Sequence, residues 1–201
     1  MSDAYGIIGR MEELPTEENR KEIIGPGVRI VLMEGPEAQK RWEDIEAAIL
    51  TAFEASTYND QGYTIVNPVA YTRKGVEGGL PVRVAHAVAL DENDNIFGGV
   101  FCIPIDNPHN ETDCDIGWFF LSPGTSARQR LWALDNLMET VRTTALEAGY
   151  THVVTNMGTP EGAKTMARRY GMEHQPLPGQ ENRWVRALGD GALNRTGLRR
   201  K

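Results

Sequence analysis

Three strand-like runs follow one another between residues 82 and 121, and the longest amphipathic stretch of the chain comes directly after them. Val82–Leu90 is rich in β-formers, Asp91-Glu-Asn-Asp-Asn95 is a turn, and Ile96–Ile105 is a second run, so these two form an antiparallel hairpin. Asp106–Asp113 is a polar loop, and Cys114–Leu121 is the third strand of the meander. The β pattern stops at Ser122-Pro123-Gly124. Leu131, Leu134, Leu137, Met138, Val141, Ala145 and Leu146 then recur at helical spacing, which predicts a helix over 127–148 with Gly149 as its stop. Thr151–Met157 is a strand centred on Val153 and Val154. Thr159, Pro160 and Glu161 supply the cap and first turn of a further helix that ends at Tyr170 and Gly171. A meander followed by a strand–helix–strand crossover demands a mixed sheet. The expected class is α/β of the α+β kind, with a mostly antiparallel central sheet and helices on both faces.

Upstream, Val28–Glu34 is a strand broken by Gly35-Pro36. Trp42, Ile45, Ile49, Ala52 and Phe53 then mark a helix over 37–55. Residues 56–81 are rich in Tyr, Asn, Gly and Pro, so a long, partly irregular segment with a short helix is expected. Residues 172–188 hold one or two final strands, with Trp184–Leu188 the clearest. The organisation predicted is an N-terminal arm over 1–27, a domain over 28–188 and a basic tail over 189–201.

Composition narrows the function classes. At 201 residues with 40% hydrophobic side chains, a single packed domain is expected. No apolar run approaches the roughly 20 residues that span a bilayer, and the acidic N-terminus lacks an apolar signal core. Two cysteines, Cys102 and Cys114, are too few for a disulfide scaffold, so free buried thiols in a reducing, cytoplasmic setting are expected. A net charge of -7 repels phosphate backbones and argues against nucleic-acid binding, except through the tail, whose last thirteen residues carry four basic groups and one acid. His109, Glu111, Asp113 and Asp115 alternate like hard-metal ligands, but they fall in a hairpin loop where polar residues are expected, and no metal is assigned.

The element order, with a long helix opening after Leu121-Ser122-Pro123, resembles the GCN5-related N-acetyltransferase family over residues 28–188. In that family a glycine-bearing loop opens the long helix, and its backbone N–H groups hold the pyrophosphate of acetyl-CoA. The physical basis is general, because a helix N-terminus offers unpaired donors and a positive dipole end. Here Gln129 and Leu131 stand where the family has its glycines, and Arg128 and Arg130 are the nearest cations. On the later helix, Ala163, Gly171 and Met172 fit the family pattern, whereas the tyrosine that often protonates the leaving thiolate is Ala167. Tyr170, three residues on, is expected to pack rather than donate a proton.

The resemblance implies an acetyl-CoA-dependent transferase acting on an amine, small molecule or protein. The cofactor-binding candidates are Phe119, Phe120, Leu121, Ser126, Arg128, Gln129 and Arg130, and the candidate bases are Asp115 and His86. Gly117 is placed to ease a bulge in the third meander strand. Tyr58, Tyr63 and Tyr71 are candidates to line an acceptor pocket. The alternative is an inactive member of the same fold used in assembly or binding. A weaker resemblance to acetyltransferase-like proteins of tailed bacteriophages, carried by Gly117-Trp-Phe-Phe-Leu-Ser122 and Leu137-Met-Glu139, points that way and implies homo-oligomers or virion proteins as partners.

Overall fold

The computed structural model describes residues 22–58, 64, 66–77, 86–102, 113–157 and 159–189. Two half-sheets make up its centre. In the first, β1 (Glu22–Gly25), β2 (Val28–Met33), β3 (His86–Asp91), β4 (Ile96–Val100) and β6 (Phe119–Leu121) lie side by side in the order β1-β2-β3-β4-β6, all antiparallel. In the second, β5 (Asp113–Asp115), β7 (His152–Asn156), β9 (Arg183–Ala187) and β8 (Glu173–His174) lie in the order β5-β7-β9-β8, with β5 and β7 parallel. The segment 113–121 joins the halves, because its first part pairs with β7 and its last part with β4.

Alternation along the strands sends side chains to two separate cores. Val28 and Ile30 of β2 and Ala87 and Ala89 of β3 face α4 (Ala127–Glu147), which packs across β2, β3, β4 and β7. Ala87 and Ala89 are fully buried opposite the equally buried Ala133 and Leu137, and these small residues let the helix lie close to the sheet. Val31, Met33, Val88 and Leu90 face the other way. There they pack with Ile45, Ile49 and Phe101 under α1 (Gly35–Lys40), α2 (Trp42–Glu54) and α3 (Val66–Glu77). α5 (Pro160–Tyr170) shares the α4 face through Met166 and Tyr170.

Local chemistry sets the ends of α5. Thr159 caps its start by accepting the Gly162 N–H at 3.1 Å, with Pro160 in the first turn, and Gly171 ends it in the left-handed region at φ +61°. The two helices on this face are tied by Asp135 of α4. It accepts Arg169 Nε at 2.6 Å, Arg169 Nη2 at 2.5 Å and the Tyr170 hydroxyl at 2.9 Å.

Several elements differ from the sequence expectation. Residues 22–25, assigned to the arm, form an edge strand paired with β2. Their side chains are largely exposed, so apolar patterning gave no signal for them. The helix expected over 37–55 starts at Gly35 and breaks at Arg41, whose N–H donates to both Glu37 and Ala38 carbonyls before α2 resumes. Residues 103–112 and the tail beyond 189 lie outside the described residues, as do Tyr63, His109 and Glu111. Among the described residues no helix is long and apolar enough to cross a membrane. Cys102 and Cys114 are free, buried thiols with their sulfurs 3.7 Å apart, and the Cys114 contact, followed by burial, pushes the Cys102 thiol well up.

Candidate functional site: a forked pair of strands

β5 and β7 begin zipped together, with Asp113 opposite His152, Cys114 opposite Val153 and Asp115 opposite Val154. The ladder closes with the Ile116 N–H donating to the Val154 carbonyl at 3.0 Å. Beyond that bond β6 pairs only with β4, while Thr155 and Asn156 pair only with β9. The two strands therefore part like the arms of a fork. Ser122 N–H donates to the Phe97 carbonyl of β4, and by the alternation of an antiparallel ladder Phe120 turns its amide to β4 as well. The amide groups of Phe119 and Leu121 then face into the fork. The Phe120 ring points to the α2 face, where it is 4% exposed and stacks on Phe101 with ring centroids 6.3 Å apart.

A glycine makes the parting. Gly117 sits between β5 and β6 at φ +55°, a backbone state in which a side chain is strained. Its N–H turns back onto the Asp115 carboxylate, with Oδ1 accepting at 2.7 Å. Burial pushes Asp115 up from the ordinary 3.8 to about 6, against the Gly117 hydrogen bond and the positive charge of Arg183, which pull it down; the neighbouring Asp113 adds to the rise. At neutral pH a group poised there is mostly ionised yet still basic enough to take a proton.

α4 begins just after β6 ends, beyond the open end of the fork. Ser126 is its N-cap, and the cap is reciprocal: Ser126 Oγ accepts the Gln129 N–H at 3.2 Å, and Gln129 Oε1 accepts the Ser126 N–H at 3.0 Å. The N–H groups of Ala127 and Arg128 occupy the first two helical positions, beyond the reach of the helix's own carbonyls. Arg130 does not reach outward. Its Nη1 donates to the Pro123 carbonyl at 3.1 Å and to the Thr125 carbonyl, fastening the loop from within. Arg128 lines an open pocket of about 550 Å³ with Pro26, Val28, Ser126, Gln129 and Trp132. The Gly25-Pro26-Gly27 turn closes one side of this pocket. Gly25 lies against the Trp132 ring, where an added Cβ would come within 2.5 Å.

The remaining candidates separate. His86 is 2% exposed on β3 with its ring 5.4 Å from Phe101, and burial pushes it down to about 4, so it is neutral; Nδ1 has no hydrogen-bond partner among the described residues. Tyr58, after α2, has its ring centroid 4.9 Å from that of Trp118, the residue after Gly117. Tyr71 is exposed on α3. Tyr170 is 2% exposed, and burial raises its hydroxyl far above the ordinary value, so it packs as expected. Two residues gain importance to which the sequence reading gave no site role. Trp118 carries a buried indole N–H without a partner among the described residues, and Arg183 is a buried cation in the last strand. Neither belongs to a spacing motif, and only the sheet register brings Arg183 to β5.

A forked parallel pair beside the start of the longest helix, with an antiparallel meander ahead of it, is matched in solved structures. A GNAT family N-acetyltransferase from Escherichia coli, in complex with CoA, superposes with a TM-score of 0.59 at 20% identity, over 86% of this chain and 88% of that one. A GNAT acetyltransferase from Staphylococcus aureus Mu50 gives 0.56 at 16% identity, over 80% of this chain and 99% of that one. The chain has the fold of the GCN5-related N-acetyltransferases. The PaiA N-acetyltransferase from Thermoplasma acidophilum, in complex with coenzyme A, shares that GNAT fold at a TM-score of 0.59 and 8% identity, over 81% of this chain and 99% of that one. At such identities the likeness is one of fold. No protein-family model and no curated protein matches the sequence. The GNAT fold accounts for the mixed sheet and the helices on both faces, as the element order predicted.

Proposed function

We propose that the chain is an acetyl-CoA-dependent N-acyltransferase that acts on an amine, with Asp115 as its general base. The observation that carries this reading is the fork itself: a left-handed glycine parts the strands and holds the Asp115 carboxylate at the branch point. The donor set suits an acyl-coenzyme A in outline. Phe119 and Leu121 offer strand amides to the amide-bearing arm of such a ligand, and the Ala127 and Arg128 N–H groups with the Arg128 guanidinium offer donors to its phosphates. When bound, the coenzyme supplies an activated acyl group.

The chain's residues do the rest. Asp115 accepts a proton from the incoming ammonium, because only the neutral amine is a nucleophile. Fork amides polarise a carbonyl held against them. Tyr58 and Trp118 wall the acceptor side next to Gly117. Of the two candidate bases, Asp115 stands at the fork, whereas His86 lies against Phe101 with almost no exposure. The test is thiol release from acetyl-CoA across a panel of primary amines. Release is expected with at least one amine, with a loss of about 10²-fold or more in Asp115→Asn. Silence across the panel, or an undiminished Asp115→Asn, overturns the reading.

A second reading, a non-catalytic protein of assembly or binding, draws on the helix start. The Ser126–Gln129 box consumes two backbone donors, and Arg130 is spent on loop carbonyls. This is the role that the resemblance to phage proteins implies. A monomer that turns over acetyl-CoA defeats it.

A further inference from the structure

The face of the second half-sheet opposite α4 carries charges that the proposed transfer does not use. In the β5–β7 ladder Asp113 and Asp115 lie two residues apart, and so on the same face, across from His152 and Val154. In the β7–β9 ladder Arg183 sits opposite Asn156, two residues beyond Val154. Yet Arg183 Nη2 donates to Asp113 Oδ2 at 2.8 Å, and both residues are buried, at 8% and 7% exposure. The arginine thus starts beyond the level of Asp115 and ends before it, so its side chain runs back past Asp115 on the same face. Its other nitrogen, Nη1, leans on the Gln175 carbonyl at 3.4 Å, which braces the guanidinium from the far side. His152 Nδ1 lies 3.4 Å from Asp113 Oδ1 and 2.9 Å from Thr151 Oγ1.

We propose that Arg183 is a positioning residue for Asp115: anchored on Asp113, its guanidinium supplies the counter-charge that keeps the Asp115 carboxylate ionised at the branch of the fork. The inference rests on the reading of Asp115 as the base. The groups bearing on Asp115 are Asp113 on its own strand, Arg183 from β9, and the Cys102–Cys114 thiol pair behind the sheet, with His152 of β7 acting through Asp113. Burying a carboxylate beside a second carboxylate favours its protonated form. Arg183 is the cation that opposes this. A guanidinium suits the task because it stays charged at every working pH and forks between two acceptors.

The experiment is a carboxyl-carbon NMR titration of the full-length chain labelled at aspartate, with the Asp115 signal assigned by its loss in Asp115→Asn. No coenzyme or amine is needed, so the outcome is separate from that of the turnover assay. The wild type is expected to titrate near 6. In Arg183→Met the midpoint rises by about one pH unit or more, and in Arg183→Lys it returns most of the way. An Arg183→Met chain that stays folded with an unchanged midpoint overturns the proposal. If that variant unfolds, Arg183→Gln, which keeps a donor for Asp113 and removes the charge, decides: a midpoint that rises supports the proposal, and one that falls or stays overturns it.

Discussion

Replacing Gly117 tests the device that opens the fork. The glycine holds φ +55°, where an L-residue loses about 1–2 kcal/mol through contact of its Cβ with the following carbonyl. Gly117→Ala keeps the backbone N–H that Asp115 accepts, so the strain is introduced without the loss of that hydrogen bond. For a chain of this length about 1 kcal/mol corresponds to roughly 2–4 °C in melting temperature, so the alanine variant should melt about 2–8 °C below wild type. Asparagine enters the left-handed region more readily than alanine, so Gly117→Asn should lose less despite its larger side chain. Differential scanning calorimetry of the three proteins at one pH measures both differences. An alanine variant that melts with the wild type, or an asparagine variant that melts below the alanine one, refutes the assignment of strain to this position.

Three further outcomes follow from the packing and the charges. Asp135→Asn loses the charge that receives both Arg169 nitrogens and weakens the Tyr170 contact, and urea unfolding should show a loss of about 1.5–3 kcal/mol; an unchanged midpoint contradicts the α4–α5 tie. Gly25→Ala drives a Cβ into the Trp132 ring and should cost about 1–3 kcal/mol, whereas Gly124→Ala, which meets nothing within 4 Å, should cost much less. Asp115 and His86 pull stability in opposite directions with pH. Asp115 binds its proton more tightly when folded, so its contribution is present at acid pH and is lost as pH rises from 3.8 through about 6. His86 is held neutral when folded, so its contribution is lost as pH falls from 6.5 through about 4. Asp115→Asn should therefore be more stable than wild type at pH 7, with the gap closing towards pH 4. The same variant should lose stability more steeply between pH 6.5 and 4, and parallel curves for the two proteins contradict the assignment.

The fold was legible where hydrophobic period and turn chemistry agreed. The stripe from Leu131 to Leu146 and the stop at Gly149 mark α4, and Thr159, Pro160 and Gly171 mark α5 at both ends. Cys114–Leu121 was expected as one strand, because the break over 116–118 leaves the β-rich composition intact; Gly117 was the sole local sign of it. The edge strand at Glu22–Gly25 went unseen because its side chains are mostly exposed and carry no buried face. At the proposed site, the sequence put forward Asp115, Phe119 and Leu121 from their places in the last meander strand, and Arg128 and Arg130 from the turn after it. That Arg130 fastens the loop was not legible, since nothing in a run of charged residues tells a loop-fastening arginine from an outward one. Arg183 was invisible for a different reason. Seventy residues separate it from Asp113, and only the register of three strands brings them together.

The central claim is that the fork and the first turn of α4 together bind an acyl-coenzyme A. Isothermal titration of the full-length chain with coenzyme A tests it without any assumption about the acceptor. One-to-one binding is expected, weakening with salt and in Arg128→Ala, because Arg128 is the cation that faces the pocket at the helix start. No heat at millimolar ligand, or binding indifferent to both salt and Arg128, contradicts the account.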